Sequence, residues 1–198
     1  MDELKIFGLF DSSSVTVSDP GLKRVINLNA KLTLNSHGRI KLDPTRSKVN
    51  VVERLINLLQ VPGSRGKKHR IITRWITGKK YRCAKIVIDA FKAIEKRTGK
   101  NPIEVFVKAI ENSSPRDEVT SIEYGGARYP QAVDVSPRRR LNLALRHIVN
   151  GAYDKAFNNK LTITEALAKE IILASENSGE SYAVSKKNDL EKQADAAR

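Results

Sequence analysis

Residues 62–82 carry eight cations, Arg65, Lys67, Lys68, Arg70, Arg74, Lys79, Lys80 and Arg82, and not one Asp or Glu. Charge at that density repels itself unless a polyanion neutralises it, so the chemistry on offer is capture of phosphate rather than bond making. The surplus is confined to a few stretches. Net charge is +6 over residues 21–48, +8 over 62–82 and +5 over 138–160, while the remaining segments lie between −3 and +2 and the whole chain reaches +14. Folded together, three basic stretches would form one positive face, the footprint of a nucleic-acid binder.

Arg138, Arg139 and Arg140 follow Ser136-Pro137, the cap-then-proline start of a helix. Cations in that first turn oppose the helix dipole at a cost on the order of 0.3 to 1 kcal/mol each, which makes physical sense if phosphates occupy the site. At about 100° per residue, Arg139, Asn142, Arg146, Asn150 and Tyr153 share one polar stripe opposite Leu141, Ala144, Leu145, Ile148 and Ala152. The stripe has no acidic member. It offers donors to an RNA backbone and a ring to an unpaired base, with His147 near its edge, and an ordinary solvated face explains it less well.

Gly78-Lys79-Lys80 is similar to the end of a phosphate-binding loop, but the preceding glycine is missing and Tyr81 stands where Ser or Thr would bind magnesium. Lys79, Lys80 and Arg82 therefore read as cations presented to a phosphate backbone, together with Lys67, Lys68 and Arg70 of the preceding link. Trp75 reads either as a stacking ring or as an anchor to the core. Cys83 lies on an apolar helical face and reads as a small buried residue. A single cysteine excludes an internal disulfide, and His37, His69 and His147 lack ligand spacing, so neither a metal nor another cofactor is expected. Clustered carboxylates and a nucleophile beside a base are also missing, which argues against an enzyme.

The elements that must position these residues are mainly α-helical, in one domain of 198 residues with 40% hydrophobic content. Residues 1–46 lack a sustained period and read as a basic, partly extended arm, and residues 47–198 as the helical RNA-binding domain. From Ser47 as N-cap, Val49, Val52, Leu55, Ile56 and Leu59 mark a first helix; Cys83, Ile86, Val87, Ala90, Phe91 and Ile94 mark a second, ended by Gly99. Asn101-Pro102 opens a third, with Glu104 in its first turn and Ile103, Phe106, Val107 and Ile110 as its buried stripe. A two-stranded ribbon over about 118–135 turns at Gly125-Gly126; Pro130 and the lack of clean alternation make it a projection rather than a central sheet. Ser136-Pro137 opens the fourth helix, Thr162 and Glu165 form a capping box for a fifth that runs to Gly179, and the tail from Lys186 supplies a sixth. Apolar runs are too short to cross a bilayer, the N-terminus is acidic where a signal peptide is cationic, and dispersed aromatics at 6% do not suit a membrane-surface helix. The expectation is an intracellular, cytoplasmic protein with no membrane partner.

Several motifs carry a resemblance: Val52-Glu53-Arg54-Leu55-Ile56-Asn57, Gly78-Lys79-Lys80, Gly99-Lys100-Asn101-Pro102, Ala109-Ile110-Glu111-Asn112, Gly125-Gly126, and above all the run from Ala132 through Val135-Ser136-Pro137 to Arg140. Over about residues 20–198 the chain resembles the family of ribosomal protein seven of the small subunit, and Tyr182-Ala183-Val184-Ser185-Lys186-Lys187 resembles its archaeal and eukaryotic branch. The resemblance implies about six helices with a protruding β-ribbon, and direct binding to the 3′ major domain of small-subunit ribosomal RNA. It further implies a part in starting assembly of the subunit head, and a ribbon near exit-site tRNA and the platform protein eleven. Carried over residue by residue, RNA contacts fall on Lys79, Lys80, Arg128, Arg139, Arg140 and Arg146. Residues 62–76 exceed the usual link and receive no role from the family, and Glu123 breaks the basic character of the ribbon. The alternative is a DNA-binding architectural or regulatory protein, against which stands the lack of a two-helix turn with a recognition helix.

Overall fold

The computed structural model describes residues 4–36, 49–61, 64–65, 68–69 and 78–198. Among them the helices are α1 (Pro20–Lys23), α2 (Val51–Leu59), α3 (Lys80–Thr98), α4 (Pro102–Ser113), α5 (Pro137–Ala156), α6 (Ile163–Ser175) and α7 (Tyr182–Asp195). The strands are the two-residue pair β1 (Ser64–Arg65) and β2 (Lys68–His69) and the long pair β3 (Asp117–Tyr124) and β4 (Ala127–Asp134). The fold is mainly α with a two-stranded ribbon, as the periodicity predicts. No helix among the described residues is long and apolar enough to cross a membrane.

Capping explains most of the boundaries. Asn101 Oδ1 accepts from Ile103 N and Pro102 takes the first position of α4, while Gly99, at φ 66°, ends α3 in the left-handed conformation. Thr162 and Glu165 close a reciprocal capping box on α6. Three boundaries differ from the sequence reading. Asn50, not Ser47, is the N-cap of α2, accepting from Val52 N, and Ser47 itself lies outside the described residues. α6 ends at Ser175, with Asn177 rather than Gly179 at positive φ, here 55°. α7 begins at Tyr182, four residues before Lys186, because Ser181 caps it and Ala183 and Val184 are buried.

One core takes side chains from both sides of the boundary drawn at residue 46. Phe91 of α3 sits at its centre, edge-on to Phe10 at 5.6 Å between ring centroids and tilted against Phe106 of α4 at 5.6 Å. Ile6, Phe10, Leu22, Val25, Ile26 and Leu34 bring residues 4–36 into this core. Helix side chains hold the backbone of that segment in place. Glu111 Oε1 accepts from Ser18 N and Asp19 N, Asn101 Nδ2 donates to Asp11 O, Asn50 Nδ2 donates to Asn29 O, and Glu53 Oε1 accepts from Ser36 N. A segment without secondary-structure period is thus laid down as a strap, its polar backbone satisfied from the helices it crosses.

At the far end, α5, α6 and α7 meet on a carboxylate. Glu170 is fully buried; it accepts from Ser181 Oγ at 2.8 Å, Ala183 N at 3.1 Å and Lys155 Nζ at 2.6 Å. Its approach requires Gly151, where an added Cβ would lie 2.7 Å from Tyr182 Cβ and 2.9 Å from Glu170 Cδ. The ribbon is seated on α7 and the residue Arg198 beyond it: Arg116 N donates to Glu191 Oε1 at 3.0 Å and Arg198 Nη2 to Asp117 Oδ2 at 2.6 Å. From there eight residue pairs run to the Gly125-Gly126 turn, whose φ values of 59° and 82° fit the two-residue hairpin loop.

Two expected outcomes follow from this packing. Gly151→Ala forces backbone or Glu170 aside and should destabilise by roughly 1 to 3 kcal/mol in denaturant unfolding. Burial raises the carboxyl pKa of Asp19 and Glu53, but bonds from Arg140 and Gly21 to the first and from Lys80 and Ser36 to the second outweigh it, so both lie below their ordinary values of 3.8 and 4.5. The stability they contribute is complete above those ordinary values and is lost as pH falls through the lowered ones. Between pH 6 and pH 3 the native protein should therefore lose more stability than an Asp19→Asn, Glu53→Gln variant, measured by urea titration at each pH.

Candidate nucleic-acid interface

α2 joins the basic stretches through consecutive residues. Glu53 Oε1 accepts from Lys80 Nζ at 2.8 Å, tying the start of α3, and Arg54 Nη2 donates to Asn142 Oδ1 at 2.9 Å, tying the start of α5. Residues 27–36 reach the same helix through Val51 N to Asn27 O and Ser36 N to Glu53. Among the described residues, 27–36 of the first basic stretch, the start of α3 in the second and the start of α5 in the third are thus all tied to α2.

Gly78, at φ 70°, turns the chain into α3, and its N–H donates to Gln60 O. Lys79 and Arg82 are exposed beside this turn, and so is Tyr81, at 83%. Lys80 differs, because its ammonium is held by Glu53 and by Asn35 Oδ1 at 2.9 Å, so this lysine fastens the fold rather than reaching outward. Tyr81 is absent from the sequence-derived set, yet its register made it findable: it lies two positions from Cys83, about 200° around the helix from the buried stripe. Lys67, Arg70, Arg74 and Trp75 lie outside the described residues, and Lys68 is placed only as part of β2.

α3 and α5 begin without a side-chain cap, unlike α2, α4, α6 and α7. Their first turns hold no acid and several cations. Around the start of α5, Ser136, Arg138, Arg139, Asn142, Leu143 and Arg146 line an open depression of about 460 Å³. Every polar side chain on that wall can donate a hydrogen bond.

The three consecutive arginines do not act alike. Arg140 turns inward, 11% exposed, and its Nη2 donates to Asp19 Oδ2 at 2.6 Å and to Ser114 Oγ at 3.2 Å. Arg139 is exposed at 59% and forms a two-pronged pair with Glu118 of β3, Nη2 to Oε1 at 2.8 Å, which holds the guanidinium pKa above its ordinary value. The stripe itself has no acid, but the strap and the ribbon each supply one. Tyr153 also departs from expectation: its ring is buried, its hydroxyl donates to Leu59 O at 2.6 Å, and burial pushes its phenol pKa up. A ring expected to stack on a base is instead the joint between α5 and the end of α2. Cys83 is buried as expected, its thiol pKa pushed up to about 11 by desolvation. Among the described residues, no group of three His, Cys, Asp or Glu side chains could hold a metal ion.

On the ribbon, Arg128 pairs loosely with Glu123 at 3.5 Å, both well exposed, an interaction that solvent weakens. The opposite face of the hairpin is apolar near the tip: Ile122 and Tyr129 are register partners, Tyr124 is two residues along, and all three are exposed.

These placements separate fastening arginines from presenting ones. Arg140→Ala should cost about 1 to 3 kcal/mol, by loss of a charged hydrogen bond and of the partner of Asp19. Arg146→Ala, at an exposed position on the depression, should stay within about 0.5 kcal/mol of the parent. Chemical unfolding of the two single variants checks both.

The model of the family Ribosomal protein S7p/S5e matches residues 30–198. The chain is 50% identical over 197 residues to small ribosomal subunit protein uS7 of Nanoarchaeum equitans, covering 99% of this chain and 100% of that protein. It is 47% identical to the protein of that name from Picrophilus torridus over the full length of both. With its counterpart from Archaeoglobus fulgidus it shares 44% identity, over 100% of this chain and 96% of the relative. The uncapped, cation-rich helix starts around α2 and the seated ribbon are therefore features of a structural, non-enzymatic constituent of the small ribosomal subunit, and the chain belongs to the ribosomal protein S7p/S5e family.

Proposed function

We propose that the protein binds small-subunit ribosomal RNA directly, in the 3′ major domain, through the surface formed where α3 and α5 begin. The observation that carries this reading is the donor-lined depression at the start of α5, with Arg138, Arg139, Asn142 and Arg146 on its wall and, among the described residues, no acidic side chain lining it. Two features support it further. The first turns of α3 and α5 leave backbone N–H groups without side-chain caps, in the orientation that favours phosphate. Lys79, Tyr81 and Arg82 offer two cations and a ring on the neighbouring helix start, a combination suited to backbone contacts and to stacking of an unpaired base.

By binding early to that RNA domain the protein helps start assembly of the subunit head, in cytoplasmic ribosomes. Its ribbon reaches toward exit-site tRNA and protein eleven, which the exposed Ile122, Tyr124 and Tyr129 face and the Glu123/Arg128 face would meet separately.

The test is a salt titration of binding between the full chain and a transcript of the 3′ domain of an archaeal small-subunit RNA. Tight binding with a steep negative dependence on log salt is expected, reduced by roughly one unit of slope when Arg138 and Arg146 are both changed to Ala. Equal affinity for duplex DNA of the same length would favour the DNA-binding alternative.

A further inference from the structure

An asparagine on an anion-binding wall is chemically ambiguous. Its amide presents two donors in one orientation and an acceptor in the other, and only the first suits a phosphate oxygen. Asn142 lies on the wall of the depression at the start of α5, and its Oδ1 is taken from behind by Arg54 Nη2 at 2.9 Å. Guanidinium groups only donate, so this bond cannot form with the amide turned round. The Nδ2 group has no acceptor among the described residues. Arg54 stands in the middle of α2, 9% exposed, inside a run from Val51 to Ile56 whose every member is buried. Arg54 is not among the residues that line the depression.

Burying a guanidinium is expensive unless its donors are used, and a residue of similar length without charge would pack there at lower cost. The charge has a consequence that packing alone would not give. We propose that Arg54 is a positioning residue that commits the Asn142 amide to present its donors to a phosphate group in the depression. The inference rests on the RNA-binding reading above. Arg54 acts on RNA affinity through Asn142 and makes no contact with RNA itself.

A double-mutant cycle on the full chain tests this, with the 3′-domain transcript as probe. Arg54→Met and Asn142→Ala should each weaken binding by about tenfold to a hundredfold, the range expected for one hydrogen bond to a charged group. The double variant should be no weaker than the worse single one, because both changes remove the same interaction. The slope against log salt should be unchanged in all three, since no phosphate-neutralising cation is lost. Arg54→Lys, which restores a donor behind Oδ1, should recover most of the affinity.

Additive losses, or a salt slope lowered by about one unit in Arg54→Met, would mean that Arg54 touches RNA directly and would overturn the proposal. So would unchanged affinity in Asn142→Ala. If Arg54→Met does not fold, the unmodified protein decides: the side-chain amide resonances of Asn142 should move on addition of the transcript, and resonances that stay in place overturn the assignment. Failure of the unmodified protein to bind the transcript would refute the RNA-binding reading instead, which keeps the two failures apart.

Discussion

Self-repulsion is the constraint on which the architecture depends: 36 lysines and arginines share the chain with 22 carboxylates, and α2 is tied to residues 27–36 and to the cation-rich starts of α3 and α5. Carboxylates at the joints resolve it. Glu53, Asp19 and Glu170 are each buried or nearly so, and each combines one cation with at least one backbone N–H. A buried ion pair contributes little net stability once desolvation is counted, but it rejects arrangements that would leave either charge alone. In this chain it fixes where the strap, α3 and α7 lie, while the surplus cations remain at the surface.

The same constraint explains why the arginine triplet divides its work. Successive residues of a helix are turned by about 100°, so three in a row cannot share one face. Arg140 meets the strap, Arg139 meets the ribbon, and Arg138 borders the depression with Arg146, two turns further along. Tyr153 illustrates the converse. It shares the azimuth of Arg139 along α5, but azimuth does not settle exposure when a neighbour covers only part of a helix. The end of α2 covers Tyr153, whose hydroxyl donates to Leu59 O, whereas Arg146 on the same stripe faces solvent.

Local chemistry was therefore legible and long-range chemistry was not. Asn101-Pro102, the Thr162 and Glu165 box, Gly99 and Gly125-Gly126 announce themselves because each feature is satisfied within a few residues. The strap has no period because its order comes from Glu111, Asn101, Asn50 and Glu53 on helices that it crosses, up to 93 positions away in sequence. Arg140 reads as a surface cation until Asp19, 121 residues earlier, is folded against it. Arg54 was hidden for another reason. The amphipathic pattern assigns Glu53 and Arg54 to solvent, yet all six residues from Val51 to Ile56 are buried, and exposure on α2 begins at Asn57.

The ribbon brings these threads together. A hairpin of two eight-residue strands is only marginally stable by itself and needs a seat. Its base is tied to α7 by Glu191 with the backbone of Arg116, to Arg198 beyond that helix by Asp117, and to α5 by Glu118 with Arg139. Those contacts are polar, whereas Ile122, Tyr124 and Tyr129 place exposed apolar side chains near the tip. The direction of the ribbon is therefore set by charge rather than by packing, and one of the charges that sets it, Arg139, also borders the depression at the start of α5. A two-pronged guanidinium pair has a fixed plane, so the ribbon and the wall of the depression share an orientation instead of moving independently.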